Sequence, residues 1–227
     1  MGYSFDDLSY LPLLTVPMGG LVDLNVKPGQ SVIVAPATGA FGGATVVAAL
    51  ASGARVVAAG RNEDTLKAMV QVLGRQYGDR LTYVKLTGTV EVDTEALNKA
   101  SPGGNGFDAY IDFSPPQAAM TTHITSCLGA MKTFGKVCLM GYIHGNIQIP
   151  YAIVVLKSLE IRGRYMYDRK AIVQLLDMVE AGVLKLGKAG GIEVVGAYKL
   201  DEIEAALRTS TANPGFGKLV VVSPNSA

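Results

Sequence analysis

The sequence predicts a doubly wound α/β fold: a mostly parallel six-stranded sheet in the order 3-2-1-4-5-6, followed by a short C-terminal strand–helix–strand unit. Three observations predict it. Short runs rich in β-branched residues alternate with segments of helical periodicity along nearly the whole chain. The first such run, Ser31–Ala37, passes through the glycine turn Gly39-Ala40-Phe41-Gly42-Gly43 into a small-residue helix and a second run, Arg55–Gly60. The 227 residues are 49% hydrophobic and 17% charged, enough for a core covered on both faces of a sheet.

The elements follow in order. Residues 1–24 are a lead and packing segment, in which Leu11–Leu24 reads as a short helix or turn packed beneath the site. Residues 25–190 are the main domain. Its entry turn is Lys27-Pro28-Gly29, where proline presets the backbone and glycine takes a left-handed angle. The first strand (Ser31–Ala37) leads to a helix over Gly42–Ser52 that is apolar almost all round, as burial between layers requires. After the second strand, Asn62 or Asp64 caps a helix carrying Leu66, Met69, Val70 and Leu73 on one face. Leu81–Leu86 is the third strand, Glu91–Lys99 a short helix, and Phe107–Phe113 the fourth strand, broken by Ser114-Pro115-Pro116. Ala118–Met131 is helical, Lys136–Tyr142 the fifth strand, Leu159–Met166 the sixth, and Arg169–Glu180 an amphipathic helix. Residues 191–227 hold the last unit: strand Ile192–Val195, helix Asp201–Thr209 and strand Lys218–Val222.

Several function classes fall away at once. A net charge of +1 without a basic block leaves no electrostatic footprint for nucleic acid or an anionic membrane. No apolar run approaches the ~18 residues of a membrane span, and no basic-then-apolar leader precedes the domain. Cys127 and Cys138 sit singly in apolar surroundings, as reduced buried thiols. The expectation is a cytoplasmic protein acting on a small molecule.

The chemistry lies where such a sheet binds ligands, at the carboxyl ends of its strands near the reversal of strand order. The turn Ala37-Thr38-Gly39-Ala40-Phe41-Gly42 is GxGxxG with alanine in the first place. Its Gly39 lets the backbone approach a pyrophosphate, its Gly42 lets the helix pack on the strand, and the helix N-terminus offers free N–H groups. Thr38, Gly39, Ala40, Phe41 and Gly42 are therefore the expected phosphate cradle of a dinucleotide. At the end of the second strand stand Arg61 and Asn62 rather than an acid. Arg61 suits a ribose 2′-phosphate, so the cofactor read here is NADP. Of the two histidines, His123 falls in a helix with a packing role, whereas His144 and Tyr142 follow the fifth strand at the ligand end. His144 and Tyr142 are the candidate catalytic groups, although packing or solvent-facing roles suit them too. No three Cys, His or carboxylate residues have zinc spacing, so no metal is expected.

These stretches together resemble the medium-chain dehydrogenase/reductase superfamily, the zinc-type alcohol dehydrogenases and quinone reductases. LTVPMGGL with VKPGQSVIVAPATGAFGGATVVAALASGARVVAAGR resembles the entry to its nucleotide-binding domain. FDAYIDFS and GKVCLMGY resemble its fourth and fifth strands, and LEIRGRYMYDRKAIVQLLDMVEAGVL its sixth strand and following helix. YKLDEIEAALRTS with GFGKLVVV resembles its C-terminal end. The resemblance implies a Rossmann-like fold, with Ser114 and the Gly141–Tyr142 backbone near the nicotinamide ribose and ring. It also implies that the chain lacks the N-terminal catalytic domain and keeps only a C-terminal remnant of it, so the family's zinc ligands have no counterpart.

The expected function is thus an NADP(H)-dependent, zinc-independent oxidoreductase acting on a small or hydrophobic carbonyl or activated alkene. Two alternatives stand beside it: a truncated family member recruited to non-redox isomerisation or cyclisation of a hydrophobic metabolite, and a cofactor-binding module without activity of its own. The apolar, unpaired edge of the sixth strand, Leu159–Met166, leads to the expectation of a homodimer.

Overall fold

The structure, a computed structural model, describes residues 2–224. Six strands, β1 (Ser31–Ala35), β2 (Arg55–Gly60), β3 (Leu81–Lys85), β4 (Phe107–Asp112), β5 (Met131–Leu139) and β6 (Glu160–Gly163), form one parallel sheet in the order β3-β2-β1-β4-β5-β6. The expected topology is the one found.

Alternation along the strands divides the core in two. Val32 and Val34 of β1, Val56 and Ala58 of β2 and Ile111 of β4 face one side. There they meet helices α2 (Leu11–Asp23), α3 (Ala40–Ala51), α4 (Glu63–Tyr77) and α8 (Arg169–Glu180). Ile33, Val57 and Tyr110 face the other side, against α5 (Val90–Ala100) and α6 (His123–Gly129). A strand buried on both faces explains why its sequence is a continuous apolar run rather than an alternating one.

The N-terminal segment is more regular than its sequence suggests. After a short α1 (Phe5–Leu8), α2 runs for 13 residues although Pro17 lies inside it. Burial overrides the proline: Leu14, Met18 and Leu21 are at most 2% exposed, each contributing about 1.5–3 kcal/mol. The segment packs on α3 and α8, and its Gly20 lies against Cys138 and Met140 at the carboxyl end of β5.

Other boundaries also differ, each for a local reason. β1 stops at Ala35, before Pro36, and α3 starts at Ala40. The helix expected over Ala118–Met131 is broken into a 3-10 turn, Ala118–Met120, and α6. The Thr121 hydroxyl donates to the Ala118 carbonyl at 2.7 Å, competing with helix propagation. At the other end the Lys157 ammonium donates to the carbonyls of Gly129 (2.6 Å) and Met131 (2.7 Å), which lets β5 begin at Met131. β6 is half as long as expected, because Arg164 turns away to pair with Asp23 and Asp168. Its edge is not apolar either, since exposed Glu160 and Arg162 pair with each other there. Helix α7 (Tyr151–Leu156) was not expected: YAIVVL has no helical pattern and buries none of its residues fully. At the C-terminus, β7 (Glu193–Tyr198) and β8 (Lys218–Val222) form a separate parallel pair under α9 (Ile203–Ala212).

Candidate functional site

A cleft of about 550 Å³ opens at the carboxyl ends of β1 to β4. Thr38 and Gly39 line it after β1, Gly60, Arg61 and Asn62 after β2, and Leu86, Thr87 and Gly88 after β3. Phe113 and Pro115 follow β4, and Met120 to His123 complete the far wall.

The glycine turn carries two glycines for two different reasons. A Cβ built at Gly42 would stand 2.1 Å from the Pro36 carbonyl oxygen and 2.9 Å from the Ala37 Cα. Both are backbone atoms that cannot step aside, so Gly42 serves the packing of α3 on β1. Gly39 is different. Its backbone is extended (φ −80°, ψ 172°), a conformation open to any residue, and a Cβ there meets nothing within 4 Å. Neither packing nor conformation of the protein asks for glycine at 39. What the missing side chain does is keep the first turn of α3 open to the cleft. That turn has no side-chain cap, so no side chain claims its first N–H groups, those of Ala40, Phe41 and Gly42, at the positive end of the helix dipole just beyond Gly39.

The end of the cleft beyond β2 is set by charge. Arg61 is exposed and, among the described residues, makes no ion pair. Asn62 caps α4, its side-chain oxygen accepting from Thr65 N at 3.0 Å, which leaves its amide nitrogen as a donor. The neighbouring acid, Glu63, is occupied by Lys67 at 3.0 Å and Lys85 at 3.1 Å. Hydrogen bonds to Lys67 and then Lys85 hold its carboxyl below the usual range. The other carboxylate of the cleft, buried Asp93, accepts from Thr87 N (2.7 Å), Thr87 Oγ1 (2.8 Å) and Gly88 N (3.0 Å). It shapes the β3–α5 loop and spends its acceptors there. The open charge facing the cleft is Arg61.

Behind the far wall lies a buried polar network that the sequence did not announce. Asp112, at the end of β4, is 2% exposed and accepts from Tyr110 Oη (3.1 Å), Ser114 Oγ (2.5 Å) and Ser114 N (3.2 Å). His123 Nε2 stands 2.8 Å from Ser114 Oγ and 3.3 Å from Asp112 Oδ1, and Nδ1 stands 2.8 Å from Thr121 Oγ1. Ser114 has one proton and gives it to Asp112, so its oxygen accepts from His123 Nε2–H; in the neutral tautomer so assigned Nδ1 is an acceptor, and the Thr121 hydroxyl is shared between it and the Ala118 carbonyl. Ser, His and Asp thus meet, but not as a nucleophilic triad. In a triad the acid orients Nδ1, leaving Nε2 to the serine. Here Asp112 and Ser114 share the Nε2 side, and the serine is 2% exposed. The network holds the wall of the cleft.

Ser114 therefore faces inward, away from the cleft, with its side chain committed to Asp112. Its backbone still reaches the ligand end: Ser114 O accepts from Tyr142 N at 2.9 Å, and Pro116 O accepts from His144 N at 3.1 Å. Gly141 packs directly on Ser114. The loop after β5 is so laced to the loop after β4, while the Tyr142 and His144 rings meet edge to face at 5.1 Å in solvent. Neither ring lines the cleft.

Sequence comparison adds what geometry alone does not. Residues 40–181, more than half of the chain, match the family described as zinc-binding dehydrogenase. The chain belongs to this family. It is 27% identical over 207 residues to a quinone oxidoreductase-like protein 2 homolog of Nematostella vectensis, covering 87% of this chain and 52% of the relative. Alcohol dehydrogenase 1 of Neurospora crassa is 27% identical over 185 residues, covering 81% of this chain and 48% of the relative. The chain thus spans about half the length of these curated relatives. Among solved structures, 2R,3R-butanediol dehydrogenase from Bacillus subtilis superposes with a TM-score of 0.74 at 16% identity, over 98% of this chain and 58% of that one. Benzyl alcohol dehydrogenase from Acinetobacter calcoaceticus superposes with a TM-score of 0.70 at 19% identity, over 98% and 58%. These likenesses establish a medium-chain dehydrogenase/reductase fold, with the nicotinamide-cofactor architecture that this fold implies.

The residues present fit such a cofactor, on the open, uncapped turn at Gly39, but they do not fit zinc. Among the described residues no three His, Cys, Asp or Glu side chains converge to hold a metal ion. His123 has both ring nitrogens engaged, and Cys127 and Cys138 are buried singly. Nor, among the described residues, is any helix long and apolar enough to cross a membrane.

Proposed function

We propose that the cleft binds NADP(H) and that the chain acts as a zinc-independent oxidoreductase on a small or hydrophobic carbonyl or activated alkene. The observation that carries this reading is the pairing in one cleft of an uncapped α3 turn, with a glycine the fold itself does not need, and an unpaired arginine, Arg61. The N–H groups of Ala40 to Gly42 hold the pyrophosphate. Arg61 and the Asn62 amide hold the 2′-phosphate, where an acid would repel it. The bound nicotinamide supplies the hydride. Tyr142 and His144 are the protein groups at that end with a proton to give or take, and the backbone bonds to Ser114 and Pro116 fix the loop that bears them.

Zinc independence is supported by the donor set: among the described residues no three His, Cys, Asp or Glu side chains converge, and three of the four histidines and cysteines are buried. A homodimer through the β6 edge is supported by that strand pairing only with β5, and by the exposed Tyr151 and Leu156 of α7 and Tyr165 beside it. A cytoplasmic location is supported by the two unpaired thiols. The test is substrate-dependent loss of NADPH absorbance across a panel of aldehydes, enones and quinones. Turnover with one class, faster with NADPH than NADH, is the expected result. NADPH that binds but is never oxidised contradicts the enzymatic part of the reading.

A further inference from the structure

Phe41 and Phe113 stack across the crevice at the reversal of strand order. Phe41 comes from the first turn of α3 and is 43% exposed; Phe113 follows β4, its N–H donating to the Ala35 carbonyl at 3.3 Å. Their ring centroids lie 5.7 Å apart with an interplanar angle of 13°. β1 and β4 are the neighbours between which a doubly wound sheet opens toward its ligand. The pair therefore bridges the opening itself. Phe113 lines the cleft together with Gly39, Arg61 and Thr87, whereas the Tyr142–His144 loop does not. A third ring between these two needs roughly 7–8 Å between planes, twice the contact distance of carbon atoms. A centroid separation of 5.7 Å does not give it.

We infer that the cleft, as built, takes a phosphorylated adenosine, and that Phe41 and Phe113 are determinants that must part before a nicotinamide reaches the Tyr142–His144 loop. This rests on the reading of the cleft as an NADP(H) site. Its charge pattern accounts for the first half: Arg61 is unpaired, whereas Asp93 is saturated by the Thr87–Gly88 loop. The stacked pair accounts for the second. An adenosine bisphosphate leaves the stack intact, while a whole dinucleotide gives it up.

The experiment is calorimetric titration of adenosine 2′,5′-bisphosphate and of NADPH into the wild-type chain, Phe41→Ala, Phe113→Leu and the double variant. The wild type is expected to bind the bisphosphate at least as tightly as NADPH. Each single variant is expected to tighten NADPH by about three- to tenfold relative to its effect on the bisphosphate, the worth of one stacked aromatic contact. The double variant gains no more than the single ones, because one contact is broken once. Thermal melts of the same samples establish that each variant is folded, and exposed Phe41 keeps the test available should Phe113→Leu unfold. Weaker NADPH binding by Phe41→Ala, equal changes for both ligands, or additive gains overturn the inference while leaving the cofactor reading standing. Failure of the wild type to bind either ligand overturns both.

Discussion

Substituting alanine at Gly39 and at Gly42 separates ligand binding from folding within four residues of one turn. At Gly42 the new Cβ meets backbone 2.1 Å and 2.9 Å away, so α3 must move off β1. Overpacking of this kind costs about 1–3 kcal/mol, toward the upper end where no side chain can yield. Replacing a helical glycine returns about 1 kcal/mol of propensity, leaving a net loss of about 2 kcal/mol. For a chain of this size that lowers Tm by about 4–8 °C. At Gly39 the Cβ meets nothing and φ is already negative. The poorer N-cap and the stiffer unfolded chain offset each other, so stability stays within about 0.5 kcal/mol. Yet that methyl group enters the space in which phosphate oxygens meet the Ala40–Gly42 N–H groups. Loss of even one charge-assisted hydrogen bond, about 1.5 kcal/mol, weakens NADPH at least about tenfold. Thermal denaturation and NADPH fluorescence titration on the two purified variants provide the comparison. A Gly39→Ala chain that melts as early as Gly42→Ala, or that binds NADPH normally, refutes the assignment of Gly39 to the ligand.

Three further outcomes follow from other parts of the molecule. Asp112→Ala takes the acceptor from Tyr110 Oη, Ser114 Oγ and Ser114 N in the interior; a loss of about 3 kcal/mol and a Tm drop of about 6–12 °C are expected by calorimetry. His144→Ala combined with Tyr142→Phe lowers kcat at least about tenfold with the NADPH Kd unchanged, since neither ring lines the cleft, and stopped-flow kinetics separate the two effects. Asp108 provides a pH test. Its partial burial alone would raise its pKa, but Lys132 at 2.8 Å and Ser31 N and Oγ at 2.7 Å outweigh that and hold the carboxyl below its usual range. A depressed carboxylate stabilises the fold above its unfolded pKa of about 4 and loses that contribution as pH falls through its lower folded value. The stability deficit of Asp108→Asn is therefore expected to shrink as urea melts are taken from pH 5 to pH 3; a constant deficit speaks against the pairing.

The fold was legible in the sequence because its signals are local and mutually consistent. Strands buried on both faces must be apolar throughout, and SVIVA and RVVAAG are. The glycine turn between them was visible because Gly42 is dictated by contact with its own neighbours in sequence. The amphipathic α8 and the final strand β8 have the expected bounds for the same reason. The rest depends on partners distant in the chain. Nothing in YAIVVL signals α7. The division of Ala118–Met131 rests on Thr121 below and on Lys157, 28 residues beyond Gly129, above. Through that division His123 becomes the first residue of a helix and reaches Asp112 and Ser114 rather than standing mid-helix. One signal for the network was present, namely a carboxylate, Asp112, inside an otherwise apolar strand, which burial obliges to find donors. In the same way, Ser114 lies beside the ligand end in sequence but turns inward, because Asp112 claims its hydroxyl.

If Arg61 and the turn at Gly39 make this cleft an NADP(H) site, calorimetric titration of NADPH and NADH into the wild-type chain and Arg61→Ala separates the two cofactors. Saturable NADPH binding to the wild type is expected, weakened by about 10- to 150-fold in Arg61→Ala, the loss of about 1.5–3 kcal/mol of charge-assisted contact, with NADH affected less than about threefold. Equal losses for the two cofactors, or a wild-type chain that binds neither, contradict the NADP(H) reading.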